Sequence, residues 1–232
     1  MALTREDLEN DVLRKSYESL PHELPLVPSD VFQQSLDRII EATAAEDDVW
    51  VFAYGSLIWN PLFHHVEREL ATVHGFHRSF CLRSRMGRGS VERPGLVLGL
   101  DFGGCCHGVA FRIAADQARH ELTLIWRREM VLGSYAPRWV KVRAGKRELR
   151  AIAFIVNHDH PHYTGKLPLD TVISILASAQ GRFGTSADYL FQTVQCLANN
   201  GIRDPHLIAL REQVLAATGQ APHPVACPEI GP

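Results

Sequence analysis

At 232 residues, 46% of them hydrophobic and 22% charged, the chain has the composition of an ordinary soluble globular protein, with length enough for a sizeable core. The formal net charge is only -2 and the Lys and Arg residues are scattered, so no basic field exists to hold a nucleic-acid backbone or an anionic membrane, and neither is expected as a partner. No run reaches the ~20 apolar residues of a membrane span and the start has no apolar signal core, which points to a cytoplasmic protein. The five cysteines (Cys81, Cys105, Cys106, Cys196, Cys227) form no CxxC pair, and free thiols are the simplest expectation.

Taken in chain order, Thr4 to Ser19 is polar and helix-favouring, with Thr4 and Asp7 spaced as a variant capping box, so a short first helix is expected. After Pro21, Pro25 and Pro28, Ser29 or Asp30 can cap a helix on which Val31, Phe32, Leu36, Ile39 and Ile40 share one face. Val49 to Tyr54 is an apolar run of strand length and composition, and the main domain is expected to begin there. Short β-favouring stretches (Ala71 to Val73, Phe76 to Leu82, Gly95 to Leu100, Gly108 to Ile113) alternate with turn residues, as in a meander or small barrel. Asp116 to Glu129 reads as a helix, Trp139 to Val142 and Ala151 to Val156 as strands. Helices follow at Leu169 to Ala179, at Ala187 to Ala198, and after an Asp204 cap with Pro205 in the first position. This divides the chain into an N-terminal helical extension (1–48), one main domain (49–215) and a Pro-rich tail (216–232).

Two features carry possible chemistry. A buried strand ending in Tyr54-Gly55-Ser56-Leu57 turns successive N–H groups outward, with no Cβ at Gly55, and can form a nest for a carboxylate or oxyanion; equally, it can be a plain strand-to-turn transition. Glu129 lies on the helical stripe of Leu122, Ile125 and Trp126, where an apolar residue is expected. Burial against Trp126 and the negative end of its own helix would both raise its pKa towards the range useful for proton transfer. The alternative is a frayed helix end with Glu129 paired to Arg127 or Arg128 in solvent.

Other groupings imitate sites. His158, His160 and His162 alternate as metal ligands might, but Pro161 disfavours a regular strand and a polar turn is simpler. Cys106 and His107 are adjacent on an expected strand and so point to opposite faces, which argues against a thiolate pair. Gly181 to Ser186 lacks the Lys of a phosphate loop and reads as a loop entering a helix capped by Thr185 or Ser186.

Several motifs in one order, Val49 to Pro61 with its Tyr-Gly-Ser-Leu core, Arg93 to Leu98, Gly108 to Arg112, Arg128-Glu129-Met130, Asp159-His160-Pro161 and Gly184 to Leu190, resemble the ChaC family of glutathione-specific γ-glutamylcyclotransferases over roughly Val49 to Val214. The N-terminal helical extension is similar to that of bacterial members. The resemblance implies an α+β fold, a small mixed β-barrel with flanking helices. It also implies a substrate loop at Ala53, Tyr54, Gly55, Ser56, Leu57 and Ile58, and a catalytic Glu at Glu129. Tyr135 resembles a family Tyr near the site that orients substrate. Ala53 stands where the family has Gly, and Ser186 where it has Asn, so a different polar contact is expected from the second loop.

The implied reaction is intramolecular: the α-amine of the γ-glutamyl group of glutathione attacks its own γ-carbonyl, giving 5-oxoproline and Cys-Gly. It needs positioning and proton transfer, with no metal, nucleotide or other cofactor. The competing expectation is a non-catalytic regulatory module for a cation transporter, and a third is a metal-dependent hydrolase using the His158 to His162 cluster, which would be chelator-sensitive.

Overall fold

The computed structural model describes residues 3–20, 25–44 and 46–219. Its centre is a closed barrel built from β1 (Val49–Ala53), β2 (Glu67–Ser84), β3 (Gly95–Ile113), β4 (Tyr135–Ala144) and β5 (Arg147–Val156) in the order β1-β3-β2-β4-β5. β1 closes the ring because it has partners on both edges: antiparallel to β3 from Val49↔Ile113 to Ala53↔Val109, and parallel to β5 at Trp50↔Ala151 and Val51↔Ile152. That parallel contact makes the barrel mixed. It also buries β1 on both faces, which is why its sequence is a continuous apolar run rather than an alternating one.

The four expected β-stretches merge into two long strands. β2 and β3 pair from Glu67↔Arg112 to Ser84↔Gly95; the ladder absorbs the turn-like Gly75, opposite Gly103 and Gly104, in a register shift at His74/Phe76, and a second shift falls at Phe80/Leu82. Gly75 adopts φ +84° at the first shift, a conformation only Gly takes without strain, so the residue that reads as a turn serves as a bulge. Gly108 answers a different need: a Cβ there would lie 2.2 Å from the Ala53 carbonyl oxygen, so β1 and β3 approach this closely only because the position is Gly.

Helices cover the barrel. Ahead of it, α1 (Arg5–Glu9) and α2 (Val12–Glu18) replace the single expected first helix, divided where Asp11 takes φ +53°. The Thr4–Asp7 capping box forms as read. α3 (Ser29–Glu41) starts after Pro28 with no side-chain cap from Ser29 or Asp30. It buries Leu36 and Ile39 and rests Phe32 and Ile40 against the core, whereas Val31 is 47% exposed. The short α4 (Ser56–Trp59) follows β1 directly, and after a 3-10 turn α5 (Ala118–Glu129) runs beneath α3, where the Trp126 indole donates to Ser35 Oγ at 2.8 Å. α6 (Leu169–Ser178), a hairpin of β6 (Gln180–Gly181) and β7 (Gly184–Thr185), α7 (Ser186–Asn199) and α8 (Pro205–Thr218) complete the layer. Thr185 caps α7 in a capping box with Asp188, and Asp204 caps α8 through the Leu207 N–H. α8 runs three residues past the expected boundary at 215; most of the Pro-rich tail lies outside the described residues. Among the described residues no helix is long and apolar enough to cross a membrane.

Candidate active site

α5 delivers Glu129 as its last residue. Leu122, Ile125 and Trp126 are no more than 1% exposed, so the stripe that carries Glu129 is the one the core captures. Its side chain is 13% exposed, at the wall of a cavity of about 610 Å³. The partnering expected of a frayed end occurs, but in the interior: Arg128 Nε lies 3.0 Å from Glu129 Oε1, and the Arg128 side chain is itself only 9% exposed. Burial disfavours the charged carboxylate and raises its pKa above the ordinary value; Arg128 pulls the other way, through its charge and its hydrogen bond, and does not cancel the effect.

Arg128 also joins Glu129 to the first motif. Its guanidinium donates to Ser56 Oγ at 2.7 Å and to the Asn60 carbonyl, at the two ends of α4. The Tyr-Gly-Ser-Leu turn and the Arg-Glu pair, about seventy residues apart in sequence, are therefore one constellation. Within the turn, Ala53, Tyr54, Leu57 and Ile58 pack their side chains into the core, and the Tyr54 hydroxyl donates to the Phe154 carbonyl at 2.8 Å. The Ile58 N–H is spent on the Gly55 carbonyl. What the turn offers the cavity is the Ser56 side chain and the leading N–H groups of α4, which have no partner inside so short a helix.

Tyr135 lines the cavity, its hydroxyl donating to the Leu98 carbonyl at 2.7 Å. Two further residues escaped the sequence reading. Tyr189, from the first turn of α7, lines the cavity and sits so close to the turn that a Cβ on Gly55 would lie 3.2 Å from its hydroxyl. Arg88 extends its guanidinium over the rings of Trp59 and Tyr189, 5.7 and 5.5 Å from their centroids, and donates to the Thr185 carbonyl at 3.4 Å. Burial lowers its pKa from the ordinary value of an arginine, yet it remains a cation facing the cavity. Ser186 takes no part in the lining: its hydroxyl donates to the Arg88 carbonyl at 2.8 Å and accepts from the Leu96 N–H at 3.3 Å, fixing the backbone that presents Arg88.

The family described as ChaC-like protein matches residues 49–217, the barrel and the helices that follow it. The chain belongs to the ChaC family. The glutathione-specific γ-glutamylcyclotransferase of Escherichia coli (strain K12) is 36% identical over 206 residues, covering 88% of this chain and 89% of that protein. The Homo sapiens glutathione-specific γ-glutamylcyclotransferase 1 is 31% identical over 173 residues, 72% and 78% of the two chains. A crystal structure of a yeast γ-glutamyl cyclotransferase specific to glutathione aligns with a TM-score of 0.68 at 25% identity, over 73% of this chain and 96% of that one.

The remaining groupings of this ChaC-family chain lie elsewhere. Cys106 is buried while Cys105 and His107 are exposed on the other face of β3, and burial raises the Cys106 thiol pKa, against thiolate formation. His158 pairs with Asp101 at 2.6 Å and stacks on Tyr163, whereas His162 is buried and its pKa is pushed down to about 4 by desolvation. The three do not converge: among the described residues no three His, Cys, Asp or Glu side chains are grouped to hold a metal. The free-thiol expectation holds for Cys81, Cys105 and Cys106 but not for Cys196, which is disulfide-bonded. Sequence spacing could not show this, since a disulfide joins residues that folding brings together.

Proposed function

We propose that the chain cleaves glutathione as a γ-glutamylcyclotransferase, with Glu129 as the proton-transfer group. The observation that carries this reading is a largely buried carboxylate of raised pKa at the wall of a cavity, flanked by an arginine-held turn and by the Arg88 guanidinium. The γ-glutamyl α-carboxylate is received by Arg88 and by the N–H groups around Gly55 to Leu57, with Tyr135 bordering the same space. Glu129 removes a proton from the α-ammonium. The freed amine attacks the γ-carbonyl carbon, a C–N bond forms as a five-membered ring closes, and the C–N bond to cysteine breaks. Glu129 gives this first proton to the departing amine of Cys-Gly, then takes the second from the attacking nitrogen and passes it to the same amine, so Cys-Gly leaves as an ammonium and the carboxylate is restored. Water is not a reactant in this scheme. The cytosol is the expected place of action.

Incubation of the purified protein with glutathione, with and without chelator, should release equal amounts of 5-oxoproline and Cys-Gly in both cases. Absence of 5-oxoproline overturns the reading and favours a regulatory module; chelator-sensitive turnover favours a metal-dependent hydrolase.

Two variants test individual parts. Arg88→Met removes the charge that meets the substrate carboxylate and should raise KM about 30-fold, the worth of one charge-assisted hydrogen bond, with a smaller change in kcat. Arg128→Met removes the influence that lowers the Glu129 pKa. Because the basic form of Glu129 starts the reaction, kcat/KM rises with pH through that pKa, and the acid limb of the profile should move to higher pH in the variant. An unmoved limb would separate Arg128 from Glu129 electrostatically.

A further inference from the structure

The N-terminal segment does more than cover an apolar face. Leu3, Leu13 and Tyr17 line the same cavity as Glu129, Tyr135 and Tyr189. The segment is held there firmly. Arg5 grips the fully buried Glu121 with two hydrogen bonds of 2.7 and 2.8 Å, Arg127 donates to the Leu8 and Glu9 carbonyls, and Leu8 and Leu13 are buried in a cluster with Met86, Leu124 and Val131. A direct link reaches the catalytic turn: the Asn60 amide donates to the Leu3 carbonyl at 3.2 Å, while the Asn60 carbonyl accepts from Arg128.

Within this wall Tyr17 stands out chemically. Its ring packs against the Leu8–Leu13 cluster, but its hydroxyl has no hydrogen-bond partner among the described residues. The hydroxyls of Tyr54 and Tyr135, by contrast, are committed to backbone carbonyls. Burial, with a contribution from the charge of Glu129, pushes the Tyr17 pKa up to about 12, so it is a neutral donor at any physiological pH. The ring is half-buried and the hydroxyl is not among the sealed, unpartnered polar atoms, so the O–H opens onto the cavity and is free to meet a ligand there.

The residues lining the cavity are of two kinds, which suit the two ends of a γ-glutamyl tripeptide. The charged glutamyl end needs Glu129, Arg88 and the α4 N–H groups. The lining also includes Leu13, Tyr17, Val131, Leu132 and Phe183, an apolar surface with one neutral donor, which fits a cysteine side chain and an uncharged peptide group. We infer that residues 3–20 form the part of the site that reads the dipeptide beyond the scissile bond, with the Tyr17 hydroxyl donating to the carbonyl of the Cys-Gly peptide. This rests on the reading of the site as a γ-glutamylcyclotransferase. It makes Tyr17, a residue ahead of the matched family region, a specificity-determining residue.

The test is steady-state kinetics of the full-length protein and its Tyr17→Phe variant, which keeps the ring in the cluster and removes only the donor. Two quantities are read: KM for glutathione, and Ki for γ-glutamylcysteine as a competitor, a compound with no Cys-Gly peptide. The expected result is a KM for glutathione raised about fivefold, kcat within about twofold of the parent, and an unchanged Ki for γ-glutamylcysteine. An unchanged KM, or equal rises in KM and Ki, overturns the inference while the parent's turnover leaves the assigned reaction standing. If the parent itself releases no 5-oxoproline, the assigned reaction falls and this inference with it. Matching melting temperatures of the two proteins establish that the difference is not one of folding.

Discussion

Glu129→Gln is expected to lower release of 5-oxoproline from glutathione by about a thousandfold, in the range that loss of a positioned acid-base group produces. The fold should survive. The carboxylate is desolvated and its charge is already disfavoured, so the neutral amide removes an unfavourable burial while its oxygen can still accept from Arg128. Melting temperature close to that of the parent, together with lost turnover and retained glutathione binding, is the combined result that marks a chemical rather than a structural role. Full activity in this variant would remove Glu129 from the mechanism. The contrast with Arg88→Met is informative, because that change should act mainly on KM: one residue moves protons in the transition state, the other holds a charge present throughout.

Arg5→Leu should give the largest loss of stability among the substitutions considered. Glu121 is fully buried, and its carboxylate is met by two Arg5 bonds and by the His64 N–H at 2.9 Å. Burial alone would raise its pKa; the Arg5 hydrogen bonds, the His64 N–H and the nearby positive charge outweigh that and hold it below the ordinary value. Removing Arg5 strands a charge in the interior, at a cost of about 3 kcal/mol, which corresponds to roughly a 6–12 °C fall in Tm for a protein of this size. The sign with pH follows. A depressed carboxylate pKa contributes stability above its unfolded value and loses it as pH falls through the folded value, so the two proteins should converge in stability at acid pH. The double variant Arg5→Leu, Glu121→Leu should recover much of the loss, since an apolar pair leaves no buried charge. An Arg5→Leu protein as stable as the parent would show that Glu121 finds other partners. Because Arg5 also anchors α1 beside the cavity, a raised KM for glutathione should accompany the lower Tm.

What the sequence by itself determined is what local physics encodes. The 3.6-residue stripe of Leu122, Ile125 and Trp126 marked α5 and singled out Glu129 as a carboxylate in a core position. The Thr4, Thr185 and Asp204 caps and the continuous apolar run at β1 were readable for the same reason, since each depends on residues within a turn or two of one another. The length of β2 and β3 was not readable, because Gly75 serves equally well as a turn or as a bulge until a partner strand arrives. The parallel β1–β5 contact, the Arg128 bridge from Glu129 to Ser56, the aromatic seat of Arg88, and Tyr17 on the cavity wall all join segments far apart in the chain. Only the tertiary structure decided these. The reason is physical: the raised pKa of Glu129 and the lowered pKa of Arg88 come from desolvation, and desolvation is a property of the packed surroundings, not of any stretch of sequence.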